Sequence, residues 1–154
     1  MLTSYLVKTQ VEFRSSKFPP YEREEEEINP GLWGKRLTEY LARRLTEEGI
    51  ATEPMVMEDW GCYLPIKSEG PRLALCCGHQ NGGDDQFIVF TDPSTPNVKK
   101  LFRTVDISAE LAHVLKVLEK ILRSDPEIRD IASRKVQASC PGRIARKKFL
   151  GSSN

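Results

Sequence analysis

The stretch RLALCCGHQNGGDDQFIVFT, residues 72–91, decides how this chain is read. Leu73, Leu75 and Cys77 alternate with Arg72, Ala74 and Cys76, and this period of two puts successive side chains on opposite faces of a strand. Asn81-Gly82 is a hairpin turn signal, and residues 86–91 return as an apolar run. The stretch therefore reads as two strands joined by a turn.

Working outward, Ser68-Glu69-Gly70-Pro71 is a further turn. Before it, Trp60, Cys62, Leu64 and Ile66 alternate with Gly61, Tyr63, Pro65 and Lys67, and residues 52–57 lead in as another strand. Pro65, which cannot donate to a ladder, points to an edge strand or an irregular end. Near the start, Tyr5, Val7, Val11 and Phe13 face one way while Lys8, Gln10 and Glu12 face the other, as in a half-buried strand. After residue 91 come Pro, Ser and Asn, with a short extended piece at residues 100–103.

Two segments switch to the helical period. Asn29-Pro30 reads as a helix start; Trp33, Leu37, Tyr40, Leu41 and Leu45 form the apolar stripe, and Gly49 supplies the left-handed stop. A second helix starts near Asp106 or Ser108 and carries Leu111, Val114, Leu115, Leu118, Ile121 and Leu122 on one face. Ser124-Asp125-Pro126 ends it and restarts a short helix through Ile128 and Ile131. Residues 14–28, with two prolines and an acidic run at Glu22 and Glu24 to Glu27, read as a solvated mobile loop.

These elements predict an α+β domain over residues 1–132: an antiparallel sheet of about five strands in the order β-α-β-β-β-β-α, with both main helices packed on one face. The opposite face would then be polar and available. In element order the arrangement is similar to one repeat of the TATA-binding-protein-like fold. DNA binding of that kind needs a basic saddle, and the charge distribution does not supply one. The formal charge is +1, yet residues 131–154 hold six basic residues and no acid, so residues 1–130 carry −5. Residues 133–154 read as a basic tail, disordered or partner-dependent.

Pro30-Gly31-Leu32-Trp33-Gly34 with its Leu-rich helix, and Glu58-Asp59-Trp60-Gly61, resemble elements of small bacterial proteins of unassigned function. The resemblance implies a bacterial cytosolic origin and no particular activity. The absence of an apolar span and of a basic leader points the same way.

Chemistry-bearing candidates are few. Glu58, Asp59, Trp60 and Tyr63 are the candidate ligand-binding residues, with Trp60 as a pocket floor and a carboxylate as acid, base or acceptor. The competing reading buries Trp60 in the core. Cys76-Cys77-Gly78-His79 with Asp84-Asp85 has metal-ligand residue types, but adjacent strand residues face opposite ways and no second ligand pair follows, so no metal is expected. With no recurring spacing among Cys62, Cys76, Cys77 and Cys140, free thiols are expected. His113 reads as a boundary histidine. Arg143, Arg146, Lys147, Lys148 and Phe149 make too sparse a basic patch for nucleic acid.

The expectation is a non-enzymatic binding module without a cofactor, engaging a protein or small ligand in a regulatory or immunity-like role. The alternatives are a small enzyme pairing Glu58 or Asp59 with His79 or a cysteine, and a homodimer through a sheet edge.

Overall fold

The computed structural model describes residues 9–27, 32–70, 72–80, 83–93, 97–100 and 103–134. Its main sheet has six strands in the order β2-β3-β4-β5-β1-β8, every neighbouring pair antiparallel. They are β1 (Gln10–Ser15), β2 (Val56–Glu58), β3 (Gly61–Ile66), β4 (Leu73–His79), β5 (Gln86–Asp92) and β8 (Ile128–Arg134). Strands β6 (Asn97–Lys100) and β7 (Arg103–Asp106) form a separate hairpin where the sequence suggested one extended piece. The helices are α1 (Glu24–Glu27), α2 (Lys35–Glu47) and α3 (Ser108–Ser124).

Helices α2 and α3 cover one face, as the amphipathic stripes require. Leu37, Leu41 and Leu45 of α2 and Leu111, Leu118, Ile121 and Leu122 of α3 are fully buried in one cluster. The sheet contributes Val11, Phe13, Leu64, Leu75, Cys77, Phe87 and Val89 to it. Gly49, at φ 91°, ends α2: its amide donates to Thr46 and the Ile50 amide to Leu45, and Ile50 packs into the same cluster as Leu45. Pro65 is harmless because its carbonyl accepts from Glu53 on the outer side of β3. The N and O of one strand residue point the same way, so the missing donor falls outside the β3–β4 ladder.

Four expectations need correction. Helix α2 begins at Lys35; Asn29 and Pro30 lie outside the described residues, and Trp33 stands before the helix although it is buried. The loop before it is pinned, with Phe18 in the core and Glu24 buried. Ile128 and Ile131 belong to a strand. A bulge sits where β8 passes Phe13: Glu12 pairs with Ala132 and Arg14 with Arg129, and Asp130 takes φ 56°. That extra residue resets the alternation and returns Ile131 to the core side, so the spacing of three comes from a bulge. Trp60 does not share a face with Cys62, because it occupies the turn before β3, where Gly61 at φ 151° breaks the alternation. It packs instead with Cys76 and Phe90, flanked by Tyr63 and Ile88. The sheet face away from the helices is therefore partly apolar.

Tyr5 and Val7, Asn81-Gly82, Cys140 and the tail residues Arg143, Arg146, Lys147, Lys148 and Phe149 lie outside the described residues. Strand β8 runs through Arg134, where it donates to Glu12 at 2.8 Å. No helix among the described residues is long and apolar enough to cross a membrane.

Candidate functional site

The unusual sequence elements meet at the end of β4. Gly34, preceding α2, and Gly61, opening β3, both abut the carbonyl of Cys77; a Cβ on Gly34 would lie 2.7 Å from that oxygen, and one on Gly61 closer still. Side chains are excluded there because backbone meets backbone. The Trp33 ring stacks on His79 with centroids 3.7 Å apart, and its Nε1 donates to the Phe18 carbonyl at 3.0 Å. His79 Nε2 is 2.6 Å from the Gly83 carbonyl, which can only accept, so that nitrogen carries the proton. His79 also meets Phe87 edge-on.

Glu24, inside the acidic run, completes this junction. Its Oε2 accepts the Gly34 and Lys35 amides at 2.9 Å each, and its Oε1 accepts the Tyr21 amide at 2.9 Å. The first turn of α2 is thus capped by a carboxylate ten residues away, where a local Asn was expected. Negative charge at a helix start is favourable and satisfies amides that would otherwise be orphaned.

The thiols are quiet. Cys62 and Cys77 are cross-strand partners on the helix face. Burial pushes the Cys62 thiol up to about 11 and Cys77 up to about 12, opposed in both cases by the neighbouring Thr38 hydroxyl. A thiolate nucleophile is disfavoured in such a setting. Cys76 is buried on the other face. No group of three or more His, Cys, Asp and Glu side chains placed to hold a metal occurs among the described residues. Asp85 instead joins Arg14, at 3.0 Å, and Arg129, tying the β4–β5 turn to β1 and β8.

Glu58, Trp60 and Tyr63 lie on the sheet face away from the helices. Val56 pairs with Tyr63 and Glu58 with Gly61, while Met57 pairs with Cys62 and reaches its Sγ at 3.3 Å on the helix side. Trp60 is 1% exposed, Tyr63 and Glu58 are half-buried, and Asp59 is exposed in the turn. His79 and Cys77 are on the helix face, so the sheet stands between Glu58 and either of them.

A different surface collects charged and aromatic side chains, half-buried or exposed around a buried floor. Lys17, Phe18 and Tyr21 of the loop, with Arg36, Glu39, Tyr40 and Arg43 of α2, enclose an open depression of about 390 Å³. The Arg36 guanidinium lies 3.9 Å above the Tyr21 ring, and Lys35 Nζ lies 5.4 Å from that ring's centroid. Lys17 and Arg43 approach the Tyr40 ring at 4.6 and 5.6 Å. The Tyr21 hydroxyl donates to Glu39 at 2.5 Å, and that bond holds the phenol above its ordinary range. Burial, then the hydrogen bond to Asp125, pushes Tyr40 up to about 12. Burial works against the Asp125 carboxylate, but Lys17, the Glu127 amide and Tyr40 hold it below its usual range.

No family model, curated protein or solved structure matches this chain. The chemistry of its surfaces is what bears on function. Reading along the sequence, Lys35, Arg36 and Arg43 appear only as solvent-facing cations off the stripe. The signal that could have marked the site is Tyr21 just after Pro19-Pro20, a rigid loop with an aromatic on it.

His113 is exposed. It lines a smaller depression of about 230 Å³ with Lys67, Ser68 and Glu110, between the end of α2, β3 and the start of α3.

Proposed function

We propose that this chain is a non-enzymatic binding module, bacterial and cytosolic, that docks on a protein partner through the loop of residues 17–21 and the outer face of α2. The observation that carries the reading is a division of labour. Trp33, His79, Glu24 and the core thiols are engaged in packing and capping, whereas Tyr21 and Arg36 are held against each other, beside an exposed Arg43, without filling the core. Tyr and Arg are, with Trp, the residues that most often dominate binding energy at protein interfaces. An immunity-like or regulatory role suits a small module of this kind.

The test is capture of a partner from the native host by the tagged full chain, set against the Arg36→Glu, Arg43→Glu double variant. A partner retained by the first and lost by the second supports the reading. Equal capture by both, with both folded, would contradict it.

A second reading, pairing of two copies along β2, is favoured by Val56, which is 49% exposed on that edge strand. Edge strands left uncovered can template pairing. Light scattering of the wild type and of Val56→Lys decides it: a dimer that the substitution dissolves would support pairing, and a monomeric wild type would exclude it.

A further inference from the structure

Resting on that docking surface, we infer that it recognises a carboxylate-bearing segment of a protein, with Arg36 as the anchor. Arg36 pairs with no carboxylate among the described residues, and its Nε is covered without a hydrogen-bond partner. Its guanidinium plane is nevertheless fixed on the Tyr21 ring, and Tyr21 is itself fixed by Glu39. A guanidinium held flat presents a fork that matches a carboxylate with two parallel N–H donors, and little rotamer freedom remains to be lost.

The neighbouring charges set the class of ligand. Lys35 adds a second cation without an ion pair among the described residues, while Arg43 is only loosely met by Glu47 at 3.7 Å. Lys17 is committed to Asp125 at 2.5 Å, so it shapes the depression more than it attracts. Glu39 places a negative charge inside the patch, hydrogen-bonded to Tyr21. A phosphodiester track is favoured by a run of cations, because its affinity comes from neutralising successive phosphates, and interleaved carboxylates oppose it. One or two side-chain carboxylates flanked by apolar groups fit better. The carboxylate would meet Arg36 and Lys35, and an apolar neighbour would enter the depression over Phe18, between Tyr21 and Tyr40.

The test is an amide NMR titration of the full chain with four probes: a capped hexapeptide alternating Asp and Leu, its Asn–Leu counterpart, inorganic phosphate and a mixed-sequence single-stranded oligonucleotide. The Asp–Leu peptide is expected to shift amides in residues 17–21 and 35–43 at millimolar concentration. Arg36→Gln should weaken that response about tenfold, and the Asn–Leu peptide should not produce it. No shift with the Asp–Leu peptide, equal shifts with its Asn counterpart, an unchanged Arg36→Gln response, or the same shifts from phosphate or the oligonucleotide would each overturn the inference. Partner capture that depends on this surface but not on the partner's carboxylates would defeat the carboxylate claim alone. Capture indifferent to the surface would defeat the docking reading as well.

Discussion

The junction at the end of β4 and the outer face of α2 use similar residue types to opposite ends. At the junction, an aromatic stacks on an imidazole (Trp33 on His79) and a carboxylate caps amides (Glu24), all but sealed from solvent. On α2, an aromatic stacks on a guanidinium (Tyr21 with Arg36) and a carboxylate accepts a hydrogen bond (Glu39), but the assembly stays open to water. In the first region each polar group is required by the backbone around it. In the second, loss of a side chain leaves the backbone satisfied. Substitutions should therefore separate the two regions by stability.

The largest effect is expected at Gly61. Alanine there would collide with the Cys77 carbonyl and hold a positive φ of 151°. Overpacking and backbone strain together predict a loss of about 3 kcal/mol or more in a denaturant melt, enough to unfold a marginal domain. A Gly61→Ala protein as stable as the wild type would mean the strands do not approach as described.

Glu24→Ala comes next. It strips three amides of their acceptor, two of them at the start of α2, and should cost about 2 kcal/mol. The neighbouring acid Glu22 is exposed, so Glu22→Ala should change the same melt by less than about 0.5 kcal/mol. Equal losses at both positions would return the acidic run to a plain solvated loop.

That contrast shows what was legible in the sequence. Alternation and the helical stripes identified β3, β4, β5 and both main helices, because those signals are local and periodic. Glu24 was not distinguishable from the acids around it, since the two helix-start amides it caps lie ten and eleven residues away. The bulge at Asp130 disguised a strand as a helix, and Gly61 turned Trp60 away from the side its parity predicted. Tyr21 and Arg36 meet only because a loop folds onto a helix, and no period announces that.

The thiols provide a third comparison. With Cys140 replaced by Ser, a colorimetric thiol reagent at pH 8 should find Cys62, Cys76 and Cys77 silent in the folded protein and all reactive after denaturation. Rapid native labelling of Cys77 would reopen a nucleophilic role.

A smaller effect is expected at alkaline pH. Tyr40 is raised from 10.0 to about 12, so folding favours its neutral form. Its contribution is fully present below pH 10 and is lost as pH rises from 10 through 12. Tyr40→Phe should flatten the stability profile in that window while removing one hydrogen bond, about 1 kcal/mol, at neutral pH. An unchanged profile would place the hydroxyl in water.

The smallest change in stability and the largest in binding should coincide at Arg36. The most direct measurement is therefore a paired one on Arg36→Gln: a urea melt alongside capture of the partner from the native host. The division between a structural junction and a proposed docking surface predicts a melt within about 0.5 kcal/mol of wild type and capture reduced at least tenfold. A destabilised Arg36→Gln protein, or one that retains its partner undiminished, would contradict it.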